Sequence, residues 1–346
     1  MKQNTAALFA AGLLALCTLA SCATASAPMP EWYQNTDAVY PRERFIAYEG
    51  RGGTVALARQ NALADLAAYF EQEVRKEGTA SIRMIEQQGA AGTAVEKTRR
   101  IEEAITVTVK RNLTAVRYAE DAWRHPATKE YVTVAYMDRE EAWKVYHPQA
   151  QKAADTLTLL FYGAREEADP FTRALLLGKT EAYAAGEEFV TARSFAQGLH
   201  PARAAALFEE ADAAMPPLSK EADYARRNAG VYLECTPDLD GLIRNAATAA
   251  FNDAGFPVAN ERRNAQAVCV IEVKEGLVPR PPGTGTFYRP SLTGKVTSLG
   301  NAGTSALSFT VEADQQSAID PGLARSRAYT ALAQALRDTL PGRLRE

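Results

Sequence analysis

Residues 6–20 form an almost wholly apolar run behind a single positive residue, Lys2, and the run stops at Leu19-Ala20-Ser21-Cys22. A stretch of this length matches the apolar part of an export signal and is too short to span a bilayer. Beyond it, no later segment approaches the roughly 18 unbroken apolar residues of a membrane-spanning helix. Whatever folds after Cys22 is therefore expected to fold as globular modules outside the inner membrane. The small residues Ala23 to Ala27 supply the competing reading, an ordinary secretory cleavage.

The chemistry of the run's end is more specific. Leu-Ala-Ser-Cys matches the lipobox of bacterial lipoproteins, in which the thiol takes a diacylglycerol thioether and the new amine takes a third chain. Each buried methylene contributes about 0.8 kcal/mol, so two or three chains anchor stably where one is marginal. Cys22 is the expected lipidation site, with residues 1–21 removed and 22–30, rich in Ala, Ser and Pro, as a lipidated tether. Ala23 rather than Asp follows the cysteine, which favours outer-membrane placement facing the periplasm.

The 346 residues are 47% apolar and 23% charged, with a net charge of −3, ordinary globular values that allow two modest cores. Loss of Lys2 with the leader makes the mature chain one unit more negative. Nothing resembles the basic excess of a nucleic-acid binder, so no nucleic-acid partner is expected.

The predicted fold class is α+β: two small α/β sandwich modules joined by a helical segment. In residues 31–147 the spacing predicts a strand at 44–48, a turn at Gly50-Arg51-Gly52-Gly53, and a helix from Thr54. That helix carries Ala58, Ala62, Leu63, Leu66, Ala67, Phe70 and Val74 on one face and is expected to end at Gly78. A strand at 79–85, a helical start over 96–113, and a hairpin from 116–123 and 130–136 turning at His125 to Thr128 follow. Asp138 is expected to cap a helix reaching Val145. Residues 148–228 read as a helical linker or bundle punctuated by Gly163, Pro170, Gly186, Pro201 and Pro216-Pro217. Residues 229–346 return to strands at 231–235, 267–273, 288–297 and 305–312, with helices at 239–254 and 323–340. The nearly continuous apolar run 267–273 predicts a central strand.

With these elements placed, Pro30-Glu31-Trp32-Tyr33, Tyr48-Glu49-Gly50-Arg51-Gly52 and the helix with Ala56, Ala58, Ala62 and Leu66 resemble the Lpp-twenty family of bacterial surface lipoproteins. Val132-Thr133-Val134-Ala135-Tyr136 continues the resemblance, which covers about a third of the chain and is shared with the N-terminal part of the flagellar assembly protein FlgT. More weakly, Asp253 to Val258 with the strand at 267–273 is similar to the βαββ modules of the TolB N-terminal domain and the synthase activator LpoB. These resemblances imply binding and assembly roles in the cell envelope and carry no catalytic residue.

Reactive groups are sparse. His125, His147 and His200 have no second His or Cys at ligand spacing, so neither a metal nor another cofactor is expected. Gly283-Thr284-Gly285-Thr286 lacks the Lys of a phosphate loop, and no nucleophile motif occurs. Cys235 and Cys269 lie in predicted strands. Export permits a disulfide between them, while their apolar surroundings favour buried free thiols. Trp32, Tyr33 and Tyr40, and Phe287 and Tyr288 beside Arg280-Pro281-Pro282-Gly283, are candidate partner contacts or core seals. The chain thus reads as a non-enzymatic envelope lipoprotein that binds membrane lipid through Cys22 and an envelope protein or peptidoglycan-associated partner. A regulator of a peptidoglycan synthase or flagellar structure is the near alternative, and a hydrolase without a recognisable motif the distant one.

Overall fold

A computed structural model describes residues 28–86, 113–278, 285–300 and 305–345. Cys22, the leader and most of the expected 96–113 helix lie outside the described residues. The fold is α+β, as the alternating patterns predict, and packs as two compact units. One holds residues 28–69 and 113–142; the other holds 70–86 and 143–345.

In the first unit, strand β4 (Tyr131–Asp138) is central. β1 (Phe45–Gly52) pairs antiparallel on one side, and two short pieces, β2 (Arg117–Tyr118) and β3 (Trp123–Arg124), pair on the other. Helix α3 (Val55–Glu86) covers one face through the fully buried Ala58, Ala62 and Leu66. Its approach over β1 is so close that a Cβ on Gly50 would lie 2.2 Å from Ala62 N and 2.3 Å from Ala58 O. The opposite face, with Ala47, Trp123, Val132, Val134 and Tyr136, is sealed by two single helical turns, α1 (Glu31–Gln34) and α2 (Thr36–Val39). Trp32, Tyr33, Val39 and Tyr40 deliver that seal, and Asn35 caps the second turn by accepting from Ala38 N at 3.1 Å.

Several boundaries differ from expectation. β1 continues through Gly52, so the predicted Gly-rich turn shrinks to Gly53-Thr54. α3 does not stop at Gly78, and the predicted strand at 79–85 is helical. A helical glycine costs only about 1 kcal/mol, and it ends a helix only where a left-handed cap follows. The expected continuous first arm of the hairpin is broken between β2 and β3, because the register against β4 shifts from Arg117↔Tyr136 to Trp123↔Val132.

Helix α4 (Arg139–Glu166) begins at Asp138 as expected. Asp138 Oδ1 accepts from Glu140 N at 3.0 Å and Glu141 N at 3.2 Å, and Oδ2 from Arg44 Nε at 3.0 Å. It runs past Val145 with Pro148 inside it; the lost backbone bond is offset by burial of Ala150, Ala153, Ala154, Leu157 and Phe161. The second unit continues with α5 (Pro170–Ala184), α6 (Glu187–Leu199), α7 (Pro201–Leu207) and α8 (Glu209–Asn228). Pro216-Pro217, expected as a break, sits within α8, where the flanking Met215 and Leu218 are buried.

A mixed four-stranded sheet follows, in the order β10 (Ser305–Glu312), β9 (Ser291–Ser298), β6 (Ala267–Lys274), β5 (Val231–Thr236). β5 and β6 are parallel and the other pairs antiparallel. A smaller sheet, β11 (Gln316–Ala318), β8 (Thr286–Tyr288), β7 (Leu277–Val278), involves the chain leaving β10, entering β9 and leaving β6. Helices α9 (Leu242–Asp253) and α10 (Pro321–Arg345) pack into one core with Leu233, Ile271, Leu292, Val296, Phe309 and Val311. β6 is interior, as predicted, but only one of its faces is buried: exposure alternates along it, with Val270 and Glu272 open to solvent.

Candidate binding surface

Because side chains alternate along a strand, the pairing registers fix which residues share the open face. One row across the sheet is Glu234, Val270, Lys295, Ser308; the next is Thr236, Glu272, Thr293, Thr310; the third is Lys274, Ser291, Glu312. Of the first two rows, Val270, Glu272, Thr293, Lys295, Ser308 and Thr310 line a groove of about 660 Å³, to which Arg343 near the end of α10 contributes. Glu234 is paired with Arg262 at 3.3 Å. Glu272, Lys295 and Arg343 have no ion-pair partner among the described residues. The convergent groups are hydroxyls, one carboxylate, one ammonium and one guanidinium. Such a set suits hydrogen bonding and charge pairing with a polar partner.

The end of β9 is held by buried polar contacts. Ser298 donates its hydroxyl to Asp169, and Asp169 Oδ2 also accepts from Thr172 N at 2.7 Å as the cap of α5. The helices carry a second buried charged cluster, in which Arg226 bonds Glu181 at 2.8 Å and Asp223 at 3.0 Å. Burial pushes the Glu181 carboxyl up, and the Arg226 guanidinium pulls against that.

Cys235 and Cys269 are free thiols in this structure. β5 and β6 align Leu233 with Cys269 and Cys235 with Ile271, so the two cysteines lie on one face but two residues out of step. That diagonal separates their Cα atoms by roughly 8 Å, beyond the span of an unstrained bridge. Burial pushes the Cys235 thiol up to about 11, and that of Cys269 upward as well.

His125 lies in the predicted turn: its Nδ1 accepts from Thr128 N at 3.2 Å, and its ring lies 5.2 Å from Trp123 and 6.0 Å from Tyr33. His147 and His200 both pack on Trp143, each with ring centroids 5.4 Å away. No group of three His, Cys, Asp or Glu is placed to hold a metal ion among the described residues. Trp32 is buried in the core seal, whereas Tyr33 and Tyr40 are half-buried at its rim. Phe287 and Tyr288 form part of β8 and are half-buried, while Arg280 to Gly283 lie outside the described residues.

The groove was not among the sequence candidates. Its residues come from three separate strands and the end of α10, and alternation, the one sequence signal the strand residues carry, becomes a surface only once register is known.

No family model matches the chain, and neither does any curated protein. Among solved structures, the PelC dodecamer from Paraburkholderia phytofirmans is 18% identical, covering 34% of this chain and 90% of that one, with a TM-score of 0.24. The secreted protein HP1454 from Helicobacter pylori is 12% identical, covering 85% of this chain and 96% of that one, with a TM-score of 0.32. At these values neither likeness carries an argument about function.

Proposed function

We propose that this protein is a lipid-anchored, non-enzymatic envelope lipoprotein of the outer membrane, related to the Lpp-twenty family. It faces the periplasm and acts as a binding or assembly module. The observation that carries this reading is Leu19-Ala20-Ser21-Cys22 at the end of the apolar leader. No helix among the described residues is long and apolar enough to cross a membrane, so acyl chains on Cys22 would supply the anchor. The binding role is supported by the polar groove on the open sheet face, where the charges of Glu272, Lys295 and Arg343 lack partners among the described residues. Its partner is an envelope protein or a peptidoglycan-associated component.

The test is Cys22→Ser in cells fed labelled palmitate. The wild-type chain is expected to take up label and partition into detergent, and the variant to do neither and to keep its leader. Equal partitioning of the two would overturn the anchor and the envelope role built on it.

A further inference from the structure

The groove on the open sheet face holds charges of both signs that the fold does not use. Glu272, Lys295 and Arg343 all line it, and none has an ion-pair partner among the described residues. All three are exposed and stand among the hydroxyls of Thr293, Ser308 and Thr310. Lys274 and Glu312 share the sheet face but occupy the next row, outside the lining, and cancel in formal charge. The lining itself therefore carries two cations and one anion.

Register keeps these charges apart. Lys295 pairs with Val270 and Ser308, whereas Thr293 pairs with Glu272 and Thr310. Glu272 and Lys295 are thus diagonal neighbours on adjacent strands, with roughly 7–8 Å between Cα atoms. No ion pair joins them, so the carboxylate and the ammonium are each open to a separate ligand group. Every charge on the strands has a hydroxyl beside it in its row, Ser308 next to Lys295 and Thr293 next to Glu272. Val270 adds an exposed apolar contact. The volume of about 660 Å³ falls within the roughly 300–1,000 Å³ of small-ligand sites.

We infer that the groove takes a short peptide with a free C-terminus, carrying two carboxylates and one ammonium. This rests on the reading of the protein as a binding module and names the chemistry of what it binds. Lys295 with Ser308 holds one carboxylate, Arg343 holds the other, and Glu272 holds the ammonium. The hydroxyls of Thr293 and Thr310 serve the amides between them. A polyanion would bring its charge against Glu272, and a neutral glycan would use none of the three charges. A ligand with both signs and one net negative charge uses all of them. Cell-wall stem peptides have this chemistry, and so do acidic protein C-termini that contain lysine. The two differ in linkage, because the stem runs through the γ-carboxyl of D-glutamate.

Calorimetric titration of the purified full chain in detergent tests this with two synthetic probes. One is N-acetyl-L-alanyl-γ-D-glutamyl-L-lysine, of the stem type, and the other is N-acetyl-L-alanyl-L-glutamyl-L-lysine, of the protein type. Both carry two carboxylates and one ammonium. Saturable one-to-one binding of at least one probe is expected, and the tighter binder identifies the source. K295Q/R343Q is expected to weaken it about tenfold and E272Q roughly two- to fivefold. With norleucine in place of the probe's lysine there is no ammonium, so E272Q no longer weakens binding while K295Q/R343Q still does. All three side chains are exposed, so the variants keep the fold, which circular dichroism confirms. No saturable binding of either probe, no loss in K295Q/R343Q, or an E272Q loss that persists with the norleucine probe would each overturn the inference. A wild-type chain that takes up palmitate yet binds neither probe overturns the peptide ligand alone and leaves the anchor standing.

Discussion

Gly50 lies in β1 where the backbone of α3 comes closest, and the space left there is smaller than a methyl group. Gly50→Ala is expected to lower stability by about 3 kcal/mol, because the neighbour is helix backbone and not a movable side chain. Gly53→Ala, with nothing within 4 Å of the added carbon, is expected to stay within about 0.5 kcal/mol of wild type. Denaturant unfolding of the two variants side by side checks both. The glycine was conspicuous in the sequence, but as a turn residue; the approach of Ala58 and Ala62 that makes it necessary is a tertiary fact. Charges behave similarly. Arg226 and Glu181 are 45 positions apart, and no spacing rule links them. Burial raises the Glu181 carboxyl against the pull of Arg226, so the carboxyl favours the fold below its ordinary pKa, and that contribution is lost as pH rises through the raised value. Arg226→Met removes the opposing pull and leaves the carboxylate buried without its main cation. The variant is expected to lose about 3–5 kcal/mol at neutral pH and distinctly less near pH 4, where Glu181 takes up a proton. Urea midpoints across that range measure the difference.

Among the elements, α4 shows how a cap and a core outvote a proline. Asp138 collects two helix N–H groups and Arg44. Burial pushes its carboxyl up, but the amides of Glu141 and Glu140 and the Arg44 guanidinium overcome this and hold it below the usual aspartate value. Its contribution is therefore present above that ordinary value and lost as pH falls through the lowered one. Asp138→Ala is expected to cost about 1–2 kcal/mol at neutral pH, with the gap closing as acid protonates the wild-type carboxyl below the ordinary aspartate range; chemical unfolding at neutral and acid pH checks it. The sequence showed this cap plainly, and it placed α9, β6 and β10 to within a few residues from apolar patterns bounded by turn residues, whereas the strand expected at 288–297 is divided at Arg289-Pro290 between β8 and β9. The sequence misplaced the ends of α3 and α4 and the interior of α8, where Gly78, Pro148 and Pro216-Pro217 look like stops. Local propensity reads them as breaks, while the apolar stripes beyond Pro148 and Pro217 supply burial that a local rule does not weigh.

For the whole molecule, the α+β class and the two strand-rich modules were legible, since runs of strands and helices change the period of the apolar pattern. The division into compact units falls inside α3 and inside α4, at positions no shift in composition marks. The groove was illegible for a different reason: a sheet surface is a product of register, which joins residues tens of positions apart. One feature at the start of the fold has a reach of its own. The turns α1 and α2 begin at Glu31 and are fastened over the first sheet by Trp32. Eight residues separate Glu31 from Cys22. Fully drawn out, they extend about 27 Å. If Cys22 bears lipid as proposed, this leash keeps the sealed face of the first sheet within a few nanometres of the headgroups. Such confinement would raise the encounter frequency with membrane neighbours and put more distant molecules out of range.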